Sequence, residues 1–214
     1  MEIAAAVAEK LLQINAIKLS PQKPFIWASG RKSPIYCDNR VILSYPEVRR
    51  FITNAFVEKS KSFAPFDTIA GVATAGIAHG VLLASALDLP FVYVRSSAKA
   101  HGRQNQIEGE LPSKSRVLVI EDLISTGGSS LAAVEALREA GAQIAGVLAI
   151  FTYGFPEALA AFETSNCHLD TLCDYPSLLH EAINSNYIEA DNLATLEIWS
   201  KDPVGWSERL TATK

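Results

Sequence analysis

Two adjacent carboxylates, Glu121 and Asp122, are followed closely by a run of hydroxyl-bearing and glycine residues, Ser125-Thr126-Gly127-Gly128-Ser129-Ser130. Carboxylates accept hydrogen bonds, so the acids suit sugar hydroxyls, either directly or through a magnesium ion. Glycine lets a phosphate approach the main chain, and the serine and threonine hydroxyls add donors. A phosphate set on the acids themselves would be repelled, so acids and loop must hold different parts of one ligand. The ligand that these residue types imply is a phosphorylated ribose.

Such a constellation needs a strand to deliver the acids and a helix to receive the phosphate. Val117-Leu118-Val119-Ile120 reads as a buried parallel strand, with Glu121 and Asp122 expected where it emerges into solvent. Residues 131–140, Leu-Ala-Ala-Val-Glu-Ala-Leu-Arg-Glu-Ala, form helix readily and open from the loop. Free N–H groups and the positive end of the dipole at that helix start favour an anion. A second strand–turn–helix is expected over residues 67–73, Thr74-Ala75-Gly76 and 77–87. Its small residues allow either contact between a pyrophosphate and backbone amides or close packing of helix on sheet.

Further strands are expected at 90–95, 143–153 and 168–173, with helices at 46–62 and 156–162. This alternation implies an α/β fold with a mostly parallel central sheet flanked by helices. Residues 2–14, 175–185 and 190–201 read as helices outside that core, Trp199 and Trp206 as packing residues, and 211–214 as a fraying end. Residues 96–115 form a long polar stretch. Between Arg95 and Gln106 it carries Arg95, Lys99, His101 and Arg103 and no acid. A solvated basic loop and a mobile cover for an anion both fit, with Gly102 and Gly109 as bending points.

An acidic strand end also suits a generic α/β sheet or a nucleotide hydrolase. The hydrolase needs a Gly-x-x-x-x-Gly-Lys-Ser/Thr loop, which the sequence lacks, as it lacks a Gly-x-Gly-x-x-Gly fingerprint. With 214 residues, 49% of them hydrophobic, one sizeable core is the default. A net charge of −4 argues against general nucleic-acid or anionic-membrane binding. The first ten residues do not read as a secretory signal. Residues 144–161, interrupted by Gly146, Gly154, Pro156 and Glu157, do not read as a membrane span, so a cytoplasmic protein is expected. Cys37, Cys167 and Cys173 are odd in number without Cys-x-x-Cys spacing, so reduced thiols are expected and no structural zinc. His79 lacks a second ligand four residues on and reads as a packed or surface histidine.

The segment Val-Leu-Val-Ile-Glu-Asp-Leu-Ile-Ser-Thr-Gly-Gly-Ser resembles the phosphoribosyl-pyrophosphate (PRPP) signature of type I phosphoribosyltransferases. Two more stretches resemble orotate phosphoribosyltransferases in particular: Ser-Gly-Arg-Lys-Ser-Pro-Ile-Tyr-Cys-Asp at 29–38, and the region running from Tyr93-Val94-Arg95 through Lys99-Ala100-His101-Gly102 to Gln106-Ile107-Glu108-Gly109. The similarity, in order, covers nearly the whole chain. It implies a type I phosphoribosyltransferase fold in one domain, residues 1–214, with residues 1–45 contributing a small N-terminal hood and 96–115 a mobile catalytic lid. The implied reaction joins orotate to PRPP with Mg2+, giving orotidine monophosphate and pyrophosphate for pyrimidine synthesis.

The resemblance also implies residue roles. Arg95, Lys99 and His101 would neutralise the pyrophosphate, Glu121 and Asp122 would hold the ribose, and Leu123, Ile124, Ser125, Thr126, Gly127, Gly128 and Ser129 would cradle the 5-phosphate. Ser125 would also touch orotate, and Lys99, His101 and Asp122 would be the catalytic residues. No direct protein metal site is expected, since Mg2+ would be held mainly by PRPP and water. A homodimer is implied, its lid covering the partner's site. Four positions depart from patterns in some family branches: Ala28, Ala75 and Ser96 stand where lysines occur, and Glu121 replaces a frequent aspartate. No arginine lies near Thr152 and Tyr153, where some members use one on orotate. A purine phosphoribosyltransferase and a PRPP-sensing regulator are the alternative readings.

Overall fold

The computed structural model describes residues 3–27, 29–96 and 106–212. In chain order the elements begin with α1 (Ile3–Gln13), β1 (Ile17–Leu19), β2 (Phe25–Ile26), β3 (Lys32–Ser33), β4 (Ile35–Cys37) and α2 (Pro46–Ser60). They continue with β5 (Thr68–Val72), α3 (Ala75–Leu87), β6 (Phe91–Val94), β7 (Ile107–Glu108), β8 (Arg116–Ile124) and α4 (Gly128–Glu139). Last come β9 (Gln143–Thr152), α5 (Pro156–Thr164), β10 (Leu169–Asp174), α6 (Tyr175–Asn184), α7 (Leu193–Lys201) and α8 (Pro203–Ala212). Two compact units result, one of Pro46–Leu172 and one of Met1–Tyr45 with Cys173–Lys214.

In the first of these, a six-stranded sheet runs in the order β10-β9-β8-β5-β6-β7. The β5–β6, β5–β8 and β8–β9 pairs are parallel, and β6–β7 is antiparallel. Every residue of β5 is buried, and Val117 to Ile120 of β8 have no exposure. A strand covered on both faces must be apolar throughout, which is why these segments read as continuous hydrophobic runs rather than alternating ones. Val117, Val119 and Ile124 share a core with Ala133, Val134 and Leu137 of α4 and Phe162 of α5. From β5 the chain moves first to β6 on one side and later to β8 on the other, so the strand order reverses there. Ligand crevices open beyond the carboxyl ends of strands at such a reversal.

The α3 helix lies against the sheet with almost no side-chain spacer. A Cβ at Gly76 would come 2.4 Å from the Ile120 carbonyl oxygen, and one at Gly71 would come 2.8 Å from that of Gly76. Gly76 therefore serves close packing, while residues 73–75 before it remain at the mouth of the crevice.

The other unit pairs β1 with β4 and β2 with β3, both antiparallel. The β2–β3 turn closes through Trp27 N–H to Arg31 C=O at 2.9 Å and Gly30 N–H to Trp27 C=O at 2.8 Å, with Gly30 at φ +83°. The Lys32 N–H donates to Ser207 Oγ at 2.8 Å, and Lys32 Nζ donates to the Leu210 carbonyl at 2.7 Å. Trp27 meets Trp199 edge-on with ring centroids 5.9 Å apart. Lys32 thus sits at the negative end of the α8 dipole.

Three elements differ from the sequence expectation. Strand β8 does not end at Ile120 but continues through both acids to Ile124, held by parallel pairing with β9 as far as Thr152. Residues 107–108 of the long polar stretch form β7, and Arg95 N–H donates to the Gln106 carbonyl at 2.9 Å, so β6 and β7 make a stem. Residues 203–212 form α8, which hydrophobic spacing did not reveal. Its signal was the Asp202-Pro203 start, where Asp202 Oδ1 accepts the Gly205 N–H at 2.8 Å. Among the described residues no helix is long and apolar enough to cross a membrane, and the three cysteines are free thiols.

Candidate active site

At the carboxyl ends of β5 and β8 lies an open pocket of about 290 Å³. Ala73, Thr74 and Ala75 form one wall, and residues 121–129, apart from Ile124, form the other. Glu121, Asp122, Leu123, Ser125, Thr126, Gly127, Gly128 and Ser129, all expected from the sequence to bind one ligand, do surround one space. The Ile124 side chain instead faces the core with no exposure, and its carbonyl accepts hydrogen bonds from Thr152 Oγ1 at 3.3 Å and Tyr153 N–H at 3.2 Å. Thr152 Oγ1 also accepts the Gly154 N–H at 3.0 Å, which ties the end of β9 to the start of the loop.

The loop turns at Gly127, with φ +80°, directly ahead of α4. A side chain there would be strained by that backbone angle, and its Cβ would lie 2.7 Å from the Phe162 ring. The first main-chain bond of the helix is Leu131 N–H to Gly127 C=O at 3.0 Å, and no side chain caps the helix start. The amides ahead of Leu131 therefore have no acceptor within the helix, and Gly128 and Ser129 are exposed at the pocket. Donors without partners at the positive end of a helix dipole can bind a phosphate.

The two acids are not equivalent. Glu121 is only 4% exposed, whereas Asp122 is half-buried. Successive strand residues face opposite sides of a sheet, and Glu121 turns towards α4. Its Oε2 accepts from Ser130 Oγ at 3.1 Å, with Ser129 Oγ at 3.5 Å, and its Oε1 accepts the Asp122 N–H at 3.0 Å. Burial, and after it the charge of Asp122, pushes the Glu121 carboxyl well above the usual carboxylate range. Asp122 is thus the more accessible carboxylate.

Arg95 stands on the β6–β7 stem, 3.5 Å from Glu108 Oε1, and is not part of the pocket wall. Lys99 and His101 lie outside the described residues. Of the turn Thr74-Ala75-Gly76, which the sequence leaves open to a pyrophosphate or to packing, Thr74 and Ala75 line the pocket, and Ala73, which the sequence did not single out, joins them. It also did not single out Ser130 as a partner of Glu121, since that contact depends on the angle at which α4 leaves the loop.

Residues 41–157, which include both walls of this pocket, match the phosphoribosyl transferase domain. The chain is 54% identical over 209 residues to the orotate phosphoribosyltransferase of Listeria innocua, covering 97% of this chain and 100% of that protein. It is 55% identical over 203 residues to that of Bacteroides thetaiotaomicron, covering 93% and 94%. The crystal structure of orotate phosphoribosyltransferase from Aeropyrum pernix aligns with a TM-score of 0.74 at 27% identity over 86% of this chain and 99% of that one. This chain belongs to the orotate phosphoribosyltransferase family.

Proposed function

We propose that this protein transfers the phosphoribosyl group of PRPP to orotate, forming orotidine monophosphate and pyrophosphate. The observation that carries the reading is the meeting of Asp122 and Glu121 with the uncapped start of α4 in one pocket. The helix start takes the 5-phosphate, the acids take the ribose hydroxyls, and residues 73–75 lie where the pyrophosphate end would be bound. As the bond from the pyrimidine nitrogen to the anomeric carbon forms, the bond from that carbon to the pyrophosphate oxygen breaks. Positive charge grows on the sugar and negative charge on the leaving group, so groups that stabilise both lower the barrier. Lys99 and His101, with Arg95, are proposed to neutralise the pyrophosphate.

Among the described residues, no three His, Cys, Asp or Glu side chains gather to hold a metal by themselves. Magnesium commonly takes one or two carboxylates together with substrate phosphates and water, and the half-buried Asp122 is a hard oxygen donor of that kind. When bound, the ion would offset phosphate charge. The test is a magnesium-dependent assay that follows orotate absorbance in the presence of PRPP. Loss of absorbance that stops on chelation supports the reading. Turnover of hypoxanthine or uracil in place of orotate overturns the base assignment, and PRPP binding without turnover points to a sensor instead.

A further inference from the structure

Ser130 occupies the first turn of α4, on the face that buries Ala133, Val134 and Leu137 further along. An alanine would suit that apolar face, yet the residue is a serine with no exposure. A hydroxyl buried so completely needs a hydrogen-bond partner. Its partner is Glu121 Oε2 at 3.1 Å, while the Asp122 N–H holds Oε1 at 3.0 Å. One bond comes from the helix and the other from the strand. Together they fix the plane of the carboxyl as well as its position. The Ser129 hydroxyl, at 3.5 Å from Oε2 and exposed, is at the limit of hydrogen bonding and constrains the carboxyl less. Both close bonds also favour the charged form, against the burial that opposes it.

We propose that Ser130 is a positioning residue that locks the carboxyl of Glu121 in the orientation required to hold the ribose of the sugar donor. This rests on reading the pocket as a phosphoribosyl site. Ser130 is not part of the pocket wall, so its effect on the donor passes through Glu121. Removing its hydroxyl leaves Glu121 with a buried oxygen short of a donor and a side chain free to turn away.

The test is a double-mutant cycle on the full-length protein, using Ser130→Ala, Glu121→Ala and the double variant. PRPP binding is measured by calorimetry with magnesium, and KM is measured separately for PRPP and orotate. Ser130→Ala is expected to weaken PRPP binding and raise its KM by about tenfold, the scale of a buried acceptor left without its donor, while the orotate KM stays nearly unchanged. In the Glu121→Ala background the same change is expected to add almost nothing. Ser130→Cys, close in volume but a weak donor, gives the same readout if the alanine variant does not fold. Additive losses in the double variant, equal rises in both KM values, or unaltered PRPP binding in a folded Ser130 variant overturn the proposal alone. Failure of the wild-type protein to bind PRPP overturns the phosphoribosyl reading, and this proposal with it.

Discussion

Glu121 and His79 are buried ionisable side chains whose surroundings push their proton affinities in opposite directions. His79 is 2% exposed, its Nε2 has no hydrogen-bond partner, and its ring packs against Phe56 with centroids 6.4 Å apart. Burial lowers its pKa from 6.5 to about 4, so the folded protein keeps it neutral where the unfolded chain would protonate it. Its contribution to stability is therefore full above pH 6.5 and is lost as pH falls towards 4. Glu121 is raised above its ordinary value of 4.5, so its contribution has the opposite sign and stability falls as pH rises above that value. Between pH 4.5 and 6.5 the two oppose each other. In His79→Phe the falling component stands alone, so urea midpoints should drop on going from pH 4.5 to 6.5 relative to the wild-type trend. Equal pH slopes in the two proteins would rule out neutral burial of His79.

At the scale of elements, the site depends on how closely α3 and α4 approach the strand ends. Gly76 allows α3 to touch the backbone of β8, and an added methyl cannot be absorbed by a flexible side chain because the opposing atom is a carbonyl oxygen. Gly76→Ala should cost about 1–3 kcal/mol of stability by chemical denaturation. It should also weaken PRPP binding, because the 73–75 wall moves with the helix start. Wild-type stability in that variant would show that the helix can shift freely. The C-terminal helix raises a separate expectation. The two-residue strands β2 and β3 are too short to hold a hairpin on their own, and Ser207 and Leu210 of α8 bind Lys32. A chain ending at Asp202 should exchange the Lys32 amide roughly fivefold faster or more, measured by hydrogen–deuterium exchange. Unchanged protection there would place the support of the hairpin elsewhere.

At the scale of the whole molecule, a chain of net charge −4 concentrates Arg95, Lys99, His101 and Arg103 in one acid-free stretch. The stem that flanks this stretch, β6 paired with β7, closes one edge of the sheet, with β6 next to the pocket strand β5. Such an arrangement suits a cationic cover, and the proposed homodimer would lend the cover of one subunit to the site of the other. Mixing Lys99→Ala subunits with Asp122→Asn subunits, each nearly inactive alone, should restore activity, since hybrids pair one intact cover with one intact pocket. Confirmed subunit exchange without regained turnover would count against sharing between subunits.

Much of this was decided by local chemistry that the sequence carries by itself. The apolar runs of β5 and β8, the helix-forming segment after Gly127-Gly128, and the juxtaposition of acids with a phosphate loop follow from residue type and spacing, because burial on both faces and a tight turn each admit few side chains. Tertiary structure decided what local chemistry leaves open. Pairing with β9 carried β8 past its expected end and buried Glu121 while leaving Asp122 accessible. Contact with the Ile120 carbonyl settled that Gly76 packs, while Thr74 and Ala75 line the pocket. The angle of α4 brought Ser130 to Glu121. Each of these depends on which backbone lies opposite a residue, and that is a property of the assembled sheet and helices rather than of any one segment.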